Sequence, residues 1–145
     1  LAYGYRSTQS AGSNSLTELS VYTLDDIPIR PNRQIEIEVT NFGVSSSGAN
    51  NEAAVRWRAT FDGSTPTTAS EEIGRWRDTV MTANSGPASS WTTTYRSATA
   101  LTLSLLMTIH RVGGSNTVWV TPSTGGMHIY VRDLGPIRSA TGTAH

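Results

Sequence analysis

The sequence predicts an all-β fold, an antiparallel two-sheet sandwich or jelly roll of about eight strands. Short apolar runs alternate with turns rich in Gly, Asn, Pro, Ser and Thr, and Ser and Thr together make up 39 of the 145 residues. Several runs show a strict period of two, and amphipathic segments of helical length are scarce. Because 145 residues is a common size for one domain, we expect a single core. A closed barrel is the second architecture that fits these strands.

The first three predicted strands cover residues 16–24, 33–41 and 52–61. The first is expected to end at the prolines that follow residue 27. The second has the clearest alternation of apolar and polar side chains in the chain, which indicates one buried and one wet face. The third repeats this pattern and places Trp57 on its apolar face, before a turn at Asp62-Gly63.

Residues 71–81 fit both a strand and a helix. Thr68 and Glu71 have the spacing of a capping box, and the apolar residues that follow recur at helical spacing. Gly74 in the interior and the β-branched residues near the end favour a strand instead. We therefore favour a strand and keep the helix as the alternative.

The second half of the chain supplies the remaining strands. Residues 91–96 form one, and the nearly continuous apolar run of residues 100–112 is typical of a central strand. Because Gly-Gly-Ser-Asn separates that run from residues 117–121, the two are expected to form a β-hairpin. Residues 127–134 form the last strand.

The strand pattern divides the chain into a sandwich domain at residues 16–136, an N-terminal extension or linker at residues 1–15 and a C-terminal tail at residues 137–145. The first residues lack a charged region followed by an apolar run, so we expect no targeting signal. Since the chain opens with Leu1 rather than Met, we expect it to be part of a longer protein.

Composition argues against several classes of partner. Eleven Arg balance eleven acidic residues and there is no Lys, so the chain lacks the net positive charge typical of proteins that bind nucleic acid or an anionic membrane. No apolar stretch approaches the roughly 18 residues of a membrane span. The absence of Cys excludes disulfides, thiolate metal ligands and cysteine nucleophiles. We expect neither nucleic acid nor a membrane as a partner.

Two Arg-Trp-Arg triplets stand at residues 56–58 and 75–77. A platform for single-stranded nucleic acid needs Trp and Arg on the same face, whereas neighbours on a strand point to opposite faces. The pattern therefore predicts core Trp side chains with outward Arg. If the strands at residues 33–41 and 52–61 are neighbours, Glu36 and Glu38 would pair with Arg56 and Arg58 across them.

No residue pattern indicates catalysis, a metal or a cofactor. His110, His128 and His145 lack metal-ligand spacing, although the first two could approach each other across the last sheet. Side chains of sequence neighbours, such as the two carboxylates at residues 71–72, diverge on a strand, whereas acid–base catalysis needs converging groups. The serines at residues 45–47 lack a nucleophile elbow. We therefore expect a protein that is not an enzyme and carries no cofactor.

Exposed aromatic side chains are the remaining candidates for binding. Trp91, Tyr95 and Trp119, with Tyr3 and Tyr5, would form a sugar-stacking or protein-docking patch if they project outward. We take the first three as the possible binding surface.

The last strands carry a family resemblance. The segment Ile109-His110-Arg111-Val112-Gly113-Gly114, followed by Val118-Trp119-Val120 and by Ile129-Tyr130-Val131-Arg132-Asp133-Leu134-Gly135-Pro136, resembles β-sandwich domains of virion proteins of tailed phages, especially those of actinobacteria. Such proteins are often labelled minor tail proteins. Leu16-Thr17-Glu18-Leu19-Ser20 and Arg33-Gln34-Ile35-Glu36-Ile37 are similar to their opening strands. Arg132 departs from the pattern, since many such sequences have an acidic residue there.

The resemblance implies a virion component on the tail or head surface, assembled in the host cytoplasm and later extracellular. Its partners would be copies of itself and other virion proteins, and possible adhesion would add a host-surface glycan. Trimeric or other cyclic symmetry is usual for such components. The alternative is a carbohydrate-binding sandwich that uses Trp91, Trp119 or Tyr95, and an exposed line of two coplanar aromatics would favour it.

Overall fold

A computed structural model describes residues 1–80, 83 and 88–137 and contains nine strands. Their bounds are β1 Ala2–Arg6, β2 Leu19–Ile29, β3 Arg33–Ser46, β4 Asn51–Thr60, β5 Glu71–Val80, β6 Ser89–Ser97, β7 Leu101–Gly113, β8 Val118–Pro122 and β9 Met127–Pro136. Most of the predicted tail, together with Met81 at the end of the 71–81 segment, lies outside the described residues.

The strands form two antiparallel sheets, so the predicted all-β sandwich is confirmed. One sheet has five strands in the order β1-β9-β3-β6, with β8 pairing with β3 as well. The other has four strands in the order β2-β7-β4-β5. The count exceeds eight because residues 2–6, assigned to an extension by the sequence, pair with β9 over their whole length.

The core lies between the two sheets. Alternate residues of β3, such as Ile35, Ile37 and Val39, are fully buried on its inward face, as the period of two predicted. Across from them, β7 contributes Leu103 and Ile109 from the other sheet. As predicted, β7 is a central strand, since it pairs with β2 on one side and β4 on the other.

Residues 71–80 form strand β5, so the favoured strand is confirmed over the alternative helix. It pairs with β4 from end to end, and Gly74 lies opposite Trp57. A Cβ added at Gly74 would lie 2.0 Å from the Trp91 ring. Glycine at this position therefore lets the Trp91 indole pack directly against β5. This close approach explains why the strand contains an interior glycine, a residue that weakens helices and strands alike.

The predicted hairpin between residues 100–112 and 117–121 is wrong. β7 belongs to the four-stranded sheet and β8 to the five-stranded sheet. The chain crosses between them through Gly114, whose φ is +85°, a backbone conformation that side chains disfavour. A glycine-rich turn of this kind fits both a hairpin and a crossing between sheets, so the local pattern does not distinguish them.

The predicted cross-strand charge pairs are also wrong, because β3 and β4 lie in different sheets. Glu36 and Glu38 instead contact Arg132 on β9. The outward arginines of β4 find a different acidic partner, described below.

Strand β2 passes Pro28, contrary to the prediction, and ends before Pro31. It continues through Pro28 to Ile29 because it is the edge strand of its sheet, where a proline can leave its missing N–H on the unpaired side. The pairing with β7 shifts register between Leu24 and Ile27, and Asp26 there has a φ of 57°.

Candidate functional site

Trp91 and Tyr95 lie on the inward face of β6, at the open side of the sandwich. The Trp91 ring stacks on the core residue Trp57 with 4.4 Å between centroids and 6° between planes. Tyr95 stacks on Phe61 at 4.5 Å and 18°. Both rings are half-buried, and the stacking occupies one face of each.

Trp119 points the other way. On β8 the flanking residues Val118 and Val120 are fully buried in the core, so alternation places Trp119 on the outer face of the five-stranded sheet. Its half-buried ring lies near Gly12. The structure brings Trp91 and Tyr95 to one face of this sheet and Trp119 to the other.

A groove runs beside Tyr95 between the edge strands β5 and β6. Its volume is about 270 Å³, and it is open to solvent at the side of the sandwich. The lining residues are Ile37, Phe61, Glu71, Glu72, Ile73, Thr93, Thr94 and Tyr95. The groove combines an aromatic floor with two carboxylates at β5.

A cluster of exposed aromatic side chains lies elsewhere, on the outer face of the five-stranded sheet. Tyr3 and Tyr5 on β1 are 54% and 48% exposed, and their register partners on β9 are Tyr130 and His128. The Tyr3 ring lies 5.3 Å from the Tyr130 ring, and the Tyr5 ring lies 5.3 Å from the His128 ring. We call these four residues the tyrosine face.

Hydrogen bonding and charge order the tyrosine face. The Tyr3 hydroxyl and His128 Nδ1 are hydrogen-bonded at 2.8 Å. The Arg132 guanidinium lies 4.5 Å over the Tyr130 ring, a cation–π contact, and also binds Glu36 and Glu38 on β3. The tyrosine face therefore presents aromatic rings beside hydrogen-bonding groups and beside side chains of both charges.

The phenol of Tyr3 stays neutral at physiological pH. Its pKa is raised above the ordinary value, first by loss of water around the hydroxyl and then by the neighbouring phenol of Tyr130. A neutral phenol both donates and accepts hydrogen bonds, which suits contact with protein or sugar hydroxyls.

The sequence names Tyr3 and Tyr5 among the candidate aromatics, but it does not predict their neighbours Tyr130 and His128, because β1 lies inside the segment assigned to an extension. A signal exists in Tyr3-Gly4-Tyr5, where Gly4 alternates with the two tyrosines. A Cβ at Gly4 would lie 2.5 Å from the Tyr22 hydroxyl, so this inward position accepts only glycine without rearrangement. Alternating Tyr-Gly-Tyr is what a strand with one tightly packed face requires.

A second cluster of polar side chains lies on the outer face of the four-stranded sheet. Arg58 binds the Glu18 carboxylate in two places, with Nε 2.8 Å from Oε2 and Nη2 2.5 Å from Oε1. Arg56 Nη1 donates to Oε1 at 2.7 Å, and the Thr108 hydroxyl donates to Oε2 at 2.8 Å. We call this set the Glu18 clamp.

The Glu18 clamp holds a charged carboxylate in place. Its pKa is lowered from 4.5 to about 2, chiefly by the hydrogen bond from Arg58 and then, against the opposing effect of burial, by Thr108 and the charges of Arg58 and Arg56. A carboxylate this acidic is a poor proton carrier at neutral pH. The Glu18 clamp therefore attaches residue 18 to β4 and β7 through ion pairs and hydrogen bonds. Its role is structural.

The remaining candidates are separated from one another. His110 lies on β7 in the four-stranded sheet, whereas His128 lies on β9 in the five-stranded sheet, so the two do not meet. Burial, and then the charge of Arg56, lowers the pKa of His110. Of the serines at residues 45–47, Ser45 and Ser46 are buried. In the part of the chain that the structure describes, no three His, Asp or Glu side chains are grouped to hold a metal ion.

The same part of the chain contains no helix with the length and hydropathy of a membrane span.

Comparison with known proteins shows the fold and nothing more specific. No family model matches the chain, and no curated protein matches it. Among solved structures, a chain of the Gx strain of infectious bursal disease virus matches with a TM-score of 0.54 and 8% identity, over 90% of this chain and 31% of that one. A chain of the Gt strain matches with a TM-score of 0.52 and 8% identity, over 92% of this chain and 31% of that one.

The chain thus spans about a third of the length of the virus chains that it matches. At this level of identity the match is a likeness of fold, and the site residues cannot be carried over by it.

Proposed function

We propose that this chain is a non-enzymatic structural domain of a virus particle, and more narrowly of the tail or head surface of a tailed phage. The observation that carries the proposal is that 90% of the chain matches a domain-sized portion of a chain in a virus structure. The resemblance of its last strands to tailed-phage virion proteins supports the narrower statement. The two arguments are independent, since one uses the backbone and the other the sequence.

The described surface suits a protein that functions by contact. The tyrosine face offers large, rigid side chains that lose little conformational entropy on binding, with polar neighbours that can be satisfied by a partner. The partners in this proposal are other virion proteins and copies of the same chain. Attachment to the host surface is a further part of the proposal, through the same face.

Localisation tests the proposal directly. Antibodies against the folded domain would be applied to particles purified from the lysate of the host in which the chain is made, followed by immunogold electron microscopy and by mass spectrometry of the particle proteins. We expect gold at a defined position on the particle and a fixed copy number. A chain that stays in the soluble fraction, with none in washed particles, would refute the proposal.

A carbohydrate-binding domain is the second candidate, favoured by the two exposed phenols of Tyr3 and Tyr5. A glycan array would compare the natural chain with a Tyr3→Ala/Tyr5→Ala variant. Tyr95→Ala is the matched control, because this tyrosine lies on the inward face. Binding that is lost in the double variant and kept in the control would establish a sugar site on the tyrosine face, whereas no binding to any glycan removes this candidate.

A further inference from the structure

Each sheet of the sandwich has two edge strands, and the four edges differ in their protection. An edge strand exposes unpaired N–H and C=O groups that can pair with a strand of another chain. Proteins that avoid this use short edge strands, charged side chains, proline or β-bulges. The edges here are β1 and β6 in the five-stranded sheet and β2 and β5 in the four-stranded sheet, while the second side of β8 is hydrogen-bonded to the backbone of Ser10 and Ser13.

Three of the four edges carry such protection. β1 is only five residues long. β2 contains two adjacent aspartates and a proline, and its pairing with β7 shifts register twice. β5 has five charged residues among its ten.

The edge strand β6 has fewer of these features, and its one register shift with β3 lies at its start, between Ser89 and Trp91. It is nine residues long, contains three consecutive threonines and no proline, and has Arg96 as its one charged residue. From Trp91 to Ser97 it pairs with β3 residue for residue, without a register shift. Among residues 1–80, 83 and 88–137, no strand pairs with its other side.

The groove described above lies along the same edge. Thr93, Thr94 and Tyr95 of β6 form one wall, and Ile73 of β5 lies on the opposite side. A strand added to β6 would extend the five-stranded sheet and direct its inward side chains toward this groove. The weakly protected edge and the unfilled space beside it therefore point to the same occupant, a β-strand.

We infer that β6 pairs antiparallel with β6 of a second copy of this chain, about a twofold axis at Thr93, the middle residue of the strand. This register sets Trp91 opposite Tyr95 of the second copy and Thr92 opposite Thr94 of the second copy. Threonine pairs and aromatic pairs across strands are stabilising. The inward aromatic residues of each copy would then cover the groove of the other.

Charge favours this partner and this direction. In the antiparallel register Arg96 lies opposite Ser90 of the second copy, so the two arginines are apart. Parallel pairing of the same strands would bring the arginines side by side, which is destabilising. The resulting interface is isologous and closes as a dimer. The inference deepens the proposed function and rests on it for the premise that copies of the chain assemble.

A charge-pattern experiment tests the pairing. Thr92 and Thr94 are both exposed on the outer face, so substitutions there leave the core intact. Thr92→Lys/Thr94→Lys would place like charges opposite each other twice across the axis, whereas Thr92→Lys/Thr94→Glu would place opposite charges there. By sedimentation velocity we expect the natural chain to dimerise, the first variant to dimerise about tenfold more weakly, and the second to recover the dimer.

A cross-linking experiment tests the register. The chain has no cysteine, and residues directly opposite in an antiparallel pair have Cα atoms about 4.5–5.5 Å apart, within disulfide range. Thr93→Cys should therefore form a covalent dimer on mild oxidation. Ser90→Cys is the control and should not, because its opposite residue is Arg96.

Two results would overturn the inference: a natural chain that stays monomeric up to about 1 mM, or an oligomer that is unchanged by Thr92→Lys/Thr94→Lys. Cross-linking of Ser90→Cys in preference to Thr93→Cys would overturn the register. In each case immunogold labelling of particles still decides the proposed function separately, since a virion domain can assemble through another surface.

Discussion

Replacing Glu18 by Gln tests whether the Glu18 clamp stabilises the sandwich through its charge. Gln keeps the shape of the side chain but leaves the Arg58 guanidinium facing a neutral amide. Only 10% of the side chain of each of these two residues is exposed, so solvent screens the pair weakly. Loss of one partner from a buried pair is destabilising because the other charge stays buried.

The pKa of Glu18 gives the magnitude and the pH range. A fall from 4.5 to about 2 corresponds to about 3 kcal/mol, at about 1.36 kcal/mol per pKa unit. Because the pKa is lower in the folded state than in the unfolded state, this contribution is complete above the unfolded value and is lost as the pH falls through the folded value. At pH 3 about 1 kcal/mol of it remains.

Urea denaturation of both proteins at pH 7 and pH 3, followed by tryptophan fluorescence, measures the effect. We expect Glu18→Gln to lower the free energy of unfolding by about 3 kcal/mol at pH 7 and by about 1 kcal/mol at pH 3. Glu38→Gln is the control, and since its partner Arg132 is 45% exposed, its loss should stay below about 1 kcal/mol. An equal loss for Glu18→Gln at both pH values would refute a role for the charge.

Three further substitutions and one control, Gly113→Ala, test the packing, each by urea denaturation at neutral pH. Gly74→Ala should destabilise by about 1–3 kcal/mol, because the added Cβ would meet the Trp91 ring, whereas Gly113→Ala, with only ordinary contacts, should stay within about 0.5 kcal/mol. Phe42→Ala should cost about 3–5 kcal/mol, since Phe42 is fully buried. Asn51→Ala should cost about 2 kcal/mol, because the fully buried amide binds the backbone of two loops; a neutral result would show that the loops hold without it.

Local patterns predicted most of the strands because burial on one face imposes a period of two on each strand separately. Both β3 and β7 are central in their sheets; the alternation of β3 reflects one buried and one partly exposed face, whereas β7 is buried over most of its length. Partner choice is not local, and this explains the two errors in pairing. A turn such as Gly113-Gly114 permits both a hairpin and a crossing between sheets, and the decision depends on β3, which supplies the partner of β8.

The candidate site was less predictable for the same physical reason. Alternation places Trp91 and Tyr95 on one face of β6, but the sequence does not say which face meets the other sheet. The structure shows both rings stacked on core aromatics of the four-stranded sheet and its edge. Tyr3 and Tyr5 are candidates from the sequence, but the cluster forms only because β9 places Tyr130 and His128 beside them.

The two sheets differ in what they leave for a partner. On the four-stranded sheet, Arg56 and Arg58 are neutralised by Glu18 and Glu72 of the same chain, so a partner would have to replace existing ion pairs. The five-stranded sheet offers the tyrosine face on β1 and β9 and the β6 edge, which are separated by β3. A β6 pair alone closes as a dimer and stops growing. In the role that we propose, a particle component needs a second contact surface, and the tyrosine face on the outer side of the five-stranded sheet would supply one without competing for the first.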